Sequence, residues 1–117
     1  MSTADLLLQT GEKVFVVDRR LFDDDLRRHF VGEVEVCTEV GFRVRGYPFF
    51  HNSSVGNFVR KSNPRTRLFS FHNHLIINVL PQDCDIEKTE HVLTNEGTIL
   101  TDNKTFRMDV SEFGFRR

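Results

Sequence analysis

Apolar and polar residues alternate with period two along much of this chain, and short turn-forming clusters separate the alternating runs. Residues 30–37, FVGEVEVC, put Phe30, Val34 and Val36 on one face and Glu33, Glu35 and Cys37 on the other. Residues 41–47, GFRVRGY, set Phe42 and Val44 against Arg43 and Arg45. A three-residue loop of Glu39, Val40 and Gly41, with Gly41 left-handed, then pairs Thr38 with Phe42, Val36 with Val44 and Glu35 with Arg45. That register keeps one face apolar and sets opposite charges across from each other on the other face.

The same reading extends over the rest of the chain. EKVFVV (12–17) is a strand, and residues 2–10 form either a short helix capped by Ser2 or Thr3 or a frayed end. RRLFDDDLRRHF (19–30) is either a short helix carrying Leu26 and Phe30 or a polar loop. A strand begins at Tyr47, and Pro48 confines it to an edge or a bulge. FVRK (58–61) and TRLFSF (66–71) flank a turn, and LIINVLP (75–81) is a buried strand stopped by Pro81. An acidic connector (82–90) leads to EHVLT, a turn at NEG, TILT, a turn at DNK and TFRMDV (105–110). Short strands at such spacing predict an antiparallel sandwich or small barrel.

Composition agrees. The chain has 117 residues, 38% hydrophobic and 28% charged, enough for one domain with its own core. Twelve phenylalanines and no tryptophan supply bulk without polar tips, so most are expected inside. A net charge near −1 excludes a protein that is basic all over but leaves room for a local basic patch. Cys37 and Cys84 have no metal-finger or disulfide-framework spacing. No signal peptide is evident, and no apolar run approaches the roughly 20 residues that span a bilayer.

Three stretches invite chemistry. His72 and His74 lie one residue apart inside RLFSFHNHLIINVLP (67–81). On a continuous strand both could reach one metal, but no spacing marks the further ligands a metal needs. The preferred reading is a corner: Asn73 favours turns, and Phe69/Phe71 and Leu75/Ile77 are core-facing runs on either side. A binding surface at that corner stays open as an alternative. RKSNPRTR (60–67) carries four positive charges and no negative one, which suits phosphate oxygens, and Arg43, Arg45, Tyr47 and Phe49 add the mixture that stacks on single-stranded bases. The acidic run 23–25 lacks the glycine and spaced oxygens of a calcium loop. No hydrolase elbow, phosphate-binding loop, dinucleotide fingerprint or metalloprotease motif occurs.

The strings EKVFVVDRRLF, RRHFVGEVE, RTRLFSF…LIINVLP and FRMDVSEFG resemble a family of small uncharacterised bacterial proteins, over about residues 11–114. That likeness implies no activity. The order bent strand, hairpin, strand, turn and LIINVL also resembles the Sm-like (LSm) and SH3-like small barrels. This second likeness implies an RNA-binding ring in which the 47–52 turn and the 72–74 corner line the RNA. The chain departs from it by lacking the Asp/Met-Asn turn and the Arg-Gly signature, by inserting 19–30 and by adding a C-terminal hairpin.

The expectation is thus an all-β, mostly β single domain over 1–117. Residues 11–81 form a small, strongly bent antiparallel barrel, with 82–90 as connector, 91–117 as a C-terminal hairpin and at most one short helix. The expected role is a non-enzymatic, cytoplasmic binding module without cofactor, metal or membrane partner. Single-stranded RNA meets Arg60, Lys61, Arg65, Arg67, Tyr47, His72, Asn73 and His74, and the chain self-associates. The alternatives are a protein-interaction module burying the Phe49–Phe50 region without nucleic acid, and a metal-binding protein or enzyme using His72 and His74.

Overall fold

A computed structural model describes residues 6–18, 28–72 and 74–111. The fold is mostly β and all its ladders are antiparallel. The first sheet is built from β1 (Lys13–Asp18), β2 (Arg28–Cys37), β3 (Gly41–Asn52), β4 (Asn57–Arg60), β5 (Arg65–Ser70) and β6 (Leu75–Val79). Its order is β4-β3-β2-β1-β6, with β5 beside the first half of β3. A 3₁₀ turn at Ile86–Lys88 precedes a second sheet of β7 (Glu90–Thr94), β8 (Gly97–Thr101) and β9 (Arg107–Asp109).

The central hairpin forms, but in a different register. Val34 pairs with Val44 and Cys37 with Phe42, and the ladder shifts between Val34 and Val36. That bulge gives β2 one extra residue, so Glu33 faces Arg45 while Glu35 bonds Arg43 at 2.9 Å, in place of the expected Glu35–Arg45 pair. It also turns Val36 outward, to 39% exposure. The loop is 38–40, one residue earlier than expected, closed by the Thr38 N–H on the Gly41 carbonyl. Gly41 is not left-handed. Its missing Cβ instead lets the Phe69 carbonyl of β5 come close.

Strand β3 is long enough to serve two neighbours in turn. Residues up to Gly46 pair with β5 and residues from Phe49 pair with β4. Pro48 sits at the changeover, where its carbonyl accepts from the Lys61 N–H. The carbonyl and the missing N–H of a strand residue point the same way, so the proline costs the ladder nothing toward β2. Beside it Gly46 faces Gly32, and a Cβ at Gly46 would run into the Val31 carbonyl. The glycine pair lets the two strands approach where the sheet bends.

Both faces of this sheet are buried. The inner, concave face gathers Val14, Val16, Phe30, Val34, Phe42 and Val44, with Phe69, Phe71, Leu75 and Ile77 closing around them. The outer face carries Phe15, Val17, Val31, Phe49 and Phe58, capped by Leu80, Cys84, Leu100 and Val110 from the connector and the second sheet. The covering segment is tied down by Lys13 Nζ on the Cys84 carbonyl at 2.6 Å and by Asn57 Nδ2 on the His91 carbonyl at 2.9 Å. Within it, burial acts to raise the Asp102 carboxyl. Hydrogen bonds from the Thr105 hydroxyl and the Asp85, Thr105 and Lys104 N–H groups more than offset this, holding it well below the usual carboxylate range.

Four expectations need correction. The barrel is not closed, since no ladder joins β5 to β6 among the described residues. The C-terminal hairpin is a three-stranded sheet, because the 102–106 turn returns the chain as β9. β6 is a half-buried edge strand with Val79 at 56% exposure, not a buried one. Residues 6–10 form bends and a turn, not a helix. The ambiguous segment 19–27, the 23–25 acidic run, Asn73 and Phe115 lie outside the described residues.

Candidate functional site

The open seam between β5 and the adjoining ends of β1 and β2 is the most distinctive feature of the surface. Its walls follow from the register. Arg65, Arg67 and Phe69 lie opposite Gly46, Val44 and Phe42, so their side chains share the concave face. Asp18 and Val16 lie opposite Arg28 and Phe30 on the same face. The result is a cavity of about 360 Å3 with Val16, Phe30 and Phe69 at its base and Arg28, Arg67 and His72 around its rim.

The Arg67 guanidinium lies over the Phe30 ring, 5.6 Å from its centroid, and is half-buried. Burial first, then the like charges of Arg65 and Arg28, push its pKa below the ordinary arginine value. An arginine stays charged regardless, so both its partial burial and the like-charge repulsion are costs that a bound anion would offset. Asp18 borders the same cavity, yet among the described residues none of these three arginines forms an ion pair. Two guanidiniums on an apolar floor, with a third on the same face of β5, can hold phosphate oxygens while the rings beneath meet an apolar or aromatic group.

The expected site residues divide into two groups. Arg65, Arg67 and His72 meet at the seam. His72 and His74 form the turn between β5 and β6, where the His74 N–H donates to His72 Nδ1 at 3.2 Å, and their rings lie 5.9 Å apart. Arg60, Lys61 and Tyr47 sit elsewhere. Arg60 lies over the Tyr47 ring at 4.8 Å and donates to the Glu87 carbonyl, while Lys61 lies over Phe50 at 4.5 Å. Tyr47 itself is buried, and it lines a recess of about 250 Å3 in which Glu33, Glu35 and Glu87 outnumber Arg45, a balance of charge unfavourable to phosphate. Phe49 is core, so the imagined stacking strip along β3 does not exist. Reasoning from sequence missed Arg28. Its signal was parity: Arg28 is two residues before Phe30 and so shares that residue's face.

Metal and thiol chemistry find little footing here. No three His, Cys, Asp or Glu side chains converge as ligands among the described residues. Burial above all pushes the Cys84 thiol up to about 11, away from the reactive thiolate. No helix is long and apolar enough to cross a membrane among the described residues. No family model, no curated protein and no solved structure matches the chain.

Proposed function

We propose that this protein is a non-enzymatic binding module that takes single-stranded RNA at the open seam of its bent sheet. The observation that carries the reading is the grouping of Arg28 and Arg67 on the cavity that Phe30 and Phe69 line, with Arg65 near enough to repel Arg67 and none of the three in an ion pair among the described residues. The strand order β6-β1-β2-β3, with β5 turning back on β3, supports the likeness to Sm-like barrels, although the seam stays open. Two free, buried thiols suit a reducing compartment, the cytoplasm.

The test is fluorescence anisotropy with a labelled single-stranded oligouridylate, titrated with salt. Three neutralised phosphates give a slope of about −2 in log K against log salt. Replacing Arg28, Arg65 and Arg67 together by alanine abolishes that binding. Failure of the native protein to bind at low salt, or a triple variant that binds as before, rejects the reading.

A second reading rests on a different observation. β5 and β6 each leave one edge unpaired among the described residues, and Leu68 and Val79 are 78% and 56% exposed beside them. Edges of this kind join copies of a chain through backbone hydrogen bonds. Light scattering tests it: a strict monomer at high concentration excludes self-association, while a ring-sized species carrying RNA joins the two readings.

A further inference from the structure

The seam that the proposed role assigns to phosphate also holds an acid. Asp18, the last residue of β1, lies directly opposite Arg28 of β2 and shares the concave face with Val16. It lines the same cavity of about 360 Å3 as Arg28, Arg67, Phe30 and Phe69. Yet it forms no ion pair among the described residues. A carboxylate beside a phosphate site repels the ligand's backbone, so it weakens binding unless it contacts another part of that ligand. The cavity has a polar side wall as well. The Phe71 N–H donates to the Val40 carbonyl, and backbone groups alternate along a strand. Arg67 and Phe69 therefore turn theirs to β3, while Leu68 and Ser70 turn theirs to the free edge that borders the cavity.

We infer that the seam is a guanine-reading pocket, in which Asp18 accepts from the base's N1–H and N2 amino group while Arg28 donates to its O6 and N7. This rests on the RNA-binding reading of the same cavity and adds to it the base that is selected. The argument is one of complementary edges. An ionised carboxylate is acceptor-only and takes two parallel donors at once. Guanine alone among the four RNA bases presents two adjacent donors on its pairing edge. Uracil sets its N3–H between two carbonyl oxygens, and adenine and cytosine each set one amino group beside a bare ring nitrogen. Each of these three turns an acceptor lone pair toward one of the carboxylate oxygens. Guanine's neighbouring edge, O6 and N7, is the one that a guanidinium grips with two hydrogen bonds. Residues directly opposite on paired strands have Cα atoms roughly 5 Å apart, so Asp18 and Arg28 stand close enough to hold two adjoining edges of one base. The Arg67 guanidinium over the Phe30 ring and the Phe69 ring supply flat surfaces for stacking. A guanidinium that stacks through its face keeps its edge N–H groups free for phosphate.

The sign of Asp18's effect separates a reader of bases from a simple balance of charge. An acid that only offset the arginines would weaken every strand alike, and its removal would strengthen every strand alike. An acid that reads guanine has opposite effects on two strands. Asp18→Asn strengthens binding of a strand without guanosine, because one repulsion of phosphate is gone. It weakens binding of a strand with guanosine, because the amide sets a donor group against one of the two guanine donors.

The experiment is fluorescence anisotropy of the full chain with labelled oligouridylates, one unbroken and the others carrying a single central guanosine, inosine or adenosine, at low salt and across a salt series. The guanosine strand is expected to bind roughly five- to a hundredfold tighter than the unbroken one, with a salt slope no steeper, because the added contact is to a base. Inosine, which keeps N1–H and O6 but lacks the 2-amino group, loses most of that gain, and adenosine loses all of it. In Asp18→Asn the guanosine and unbroken strands bind alike. Equal affinity of the native chain for all four strands overturns the guanine pocket and leaves the binding role standing. Failure to bind any strand at low salt removes the role and the pocket together. Guanosine matched by inosine or adenosine reduces the preference to purine stacking and overturns the pocket, as does an Asp18→Asn chain that keeps the guanosine preference. The ranking of the four strands needs only the native chain, so it decides the matter even if the variant fails to fold.

Discussion

The two faces of the main sheet bury their apolar residues by different means. The concave face is closed by the sheet's own curl, with Phe69, Phe71, Leu75 and Ile77 folding over Phe30, Phe42 and Val44. The convex face cannot close on itself. It depends on a separate sheet, which brings Leu100 and Val110 onto Phe15 and Val31. Each solution takes in polar groups, with opposite results. At the concave seam Arg67 keeps its charge at the edge of water while its stem lies on Phe30. Beneath the second sheet His91 has no such escape: burial first, and the neighbouring His29 second, push its pKa down to about 3, so it stays neutral. A face that curls leaves a mouth suited to binding, whereas a face that is lidded encloses polar groups suited to fastening.

The sharpest way to break this comparison is to empty the convex core. Phe15 is fully buried and touches both histidines, so Phe15→Ala should destabilise by about 3–5 kcal/mol, measured by chemical denaturation. Phe69, half-buried at the seam, should cost roughly 2 kcal/mol or less when cut to alanine, since its cavity opens to water. Equal losses at the two positions would refute the distinction between a sealed face and an open one.

A smaller effect is expected at Asp102, whose carboxylate collects four hydrogen bonds from Asp85, Lys104 and Thr105. Asp102→Ala leaves those donors unpaired and should cost about 2–3 kcal/mol. Its carboxyl is held below its ordinary value, so this contribution is complete above about pH 4 and is lost in stronger acid. The acid limb is then separable from that of His91, whose contribution begins to be lost as pH falls below about 6.5. A variant whose acid unfolding matches the native curve below pH 4 would remove Asp102 from this account.

At the seam, Arg67→Met keeps the stem and removes the charge. Stability should be unchanged or slightly higher, because repulsion from Arg65 and Arg28 is relieved. RNA affinity should fall about three- to tenfold, with the salt slope shallower by roughly one. Stability and affinity falling together would mean that Arg67 is a packing residue. Least of all should come from Arg43→Ala, which removes an exposed ion pair with Glu35 and should cost under about 0.5 kcal/mol.

Much of this was legible along the chain. The alternation around Val34 and Val44 gave the central hairpin, and NEG and DNK marked turns in which Gly97 and Asn103 do take positive φ. The corner at His72 was visible because Phe69 and Phe71 before it, and Leu75 and Ile77 after it, share a core. The bulge at Glu35 was not visible, since an extra residue costs no hydrophobic pattern until the partner strand is in place. The site was half legible: Arg65, Arg67 and His72 stood out as charge and imidazole, while Arg28 hid in a run also holding acidic residues.

By itself the sequence determined what local physics can decide: which segments are strands, where turns fall, and which side chains of a strand share a face wherever no bulge intervenes. Those depend on dihedral preference and period two, both written within a few residues. The tertiary structure alone decided that β1 is buried on both faces, that the barrel stays open at β5, and that His29 meets His91 across 62 residues of chain. Such contacts exist only once distant strands have paid their loop-closure entropy, and no local pattern records which distant partner repays it.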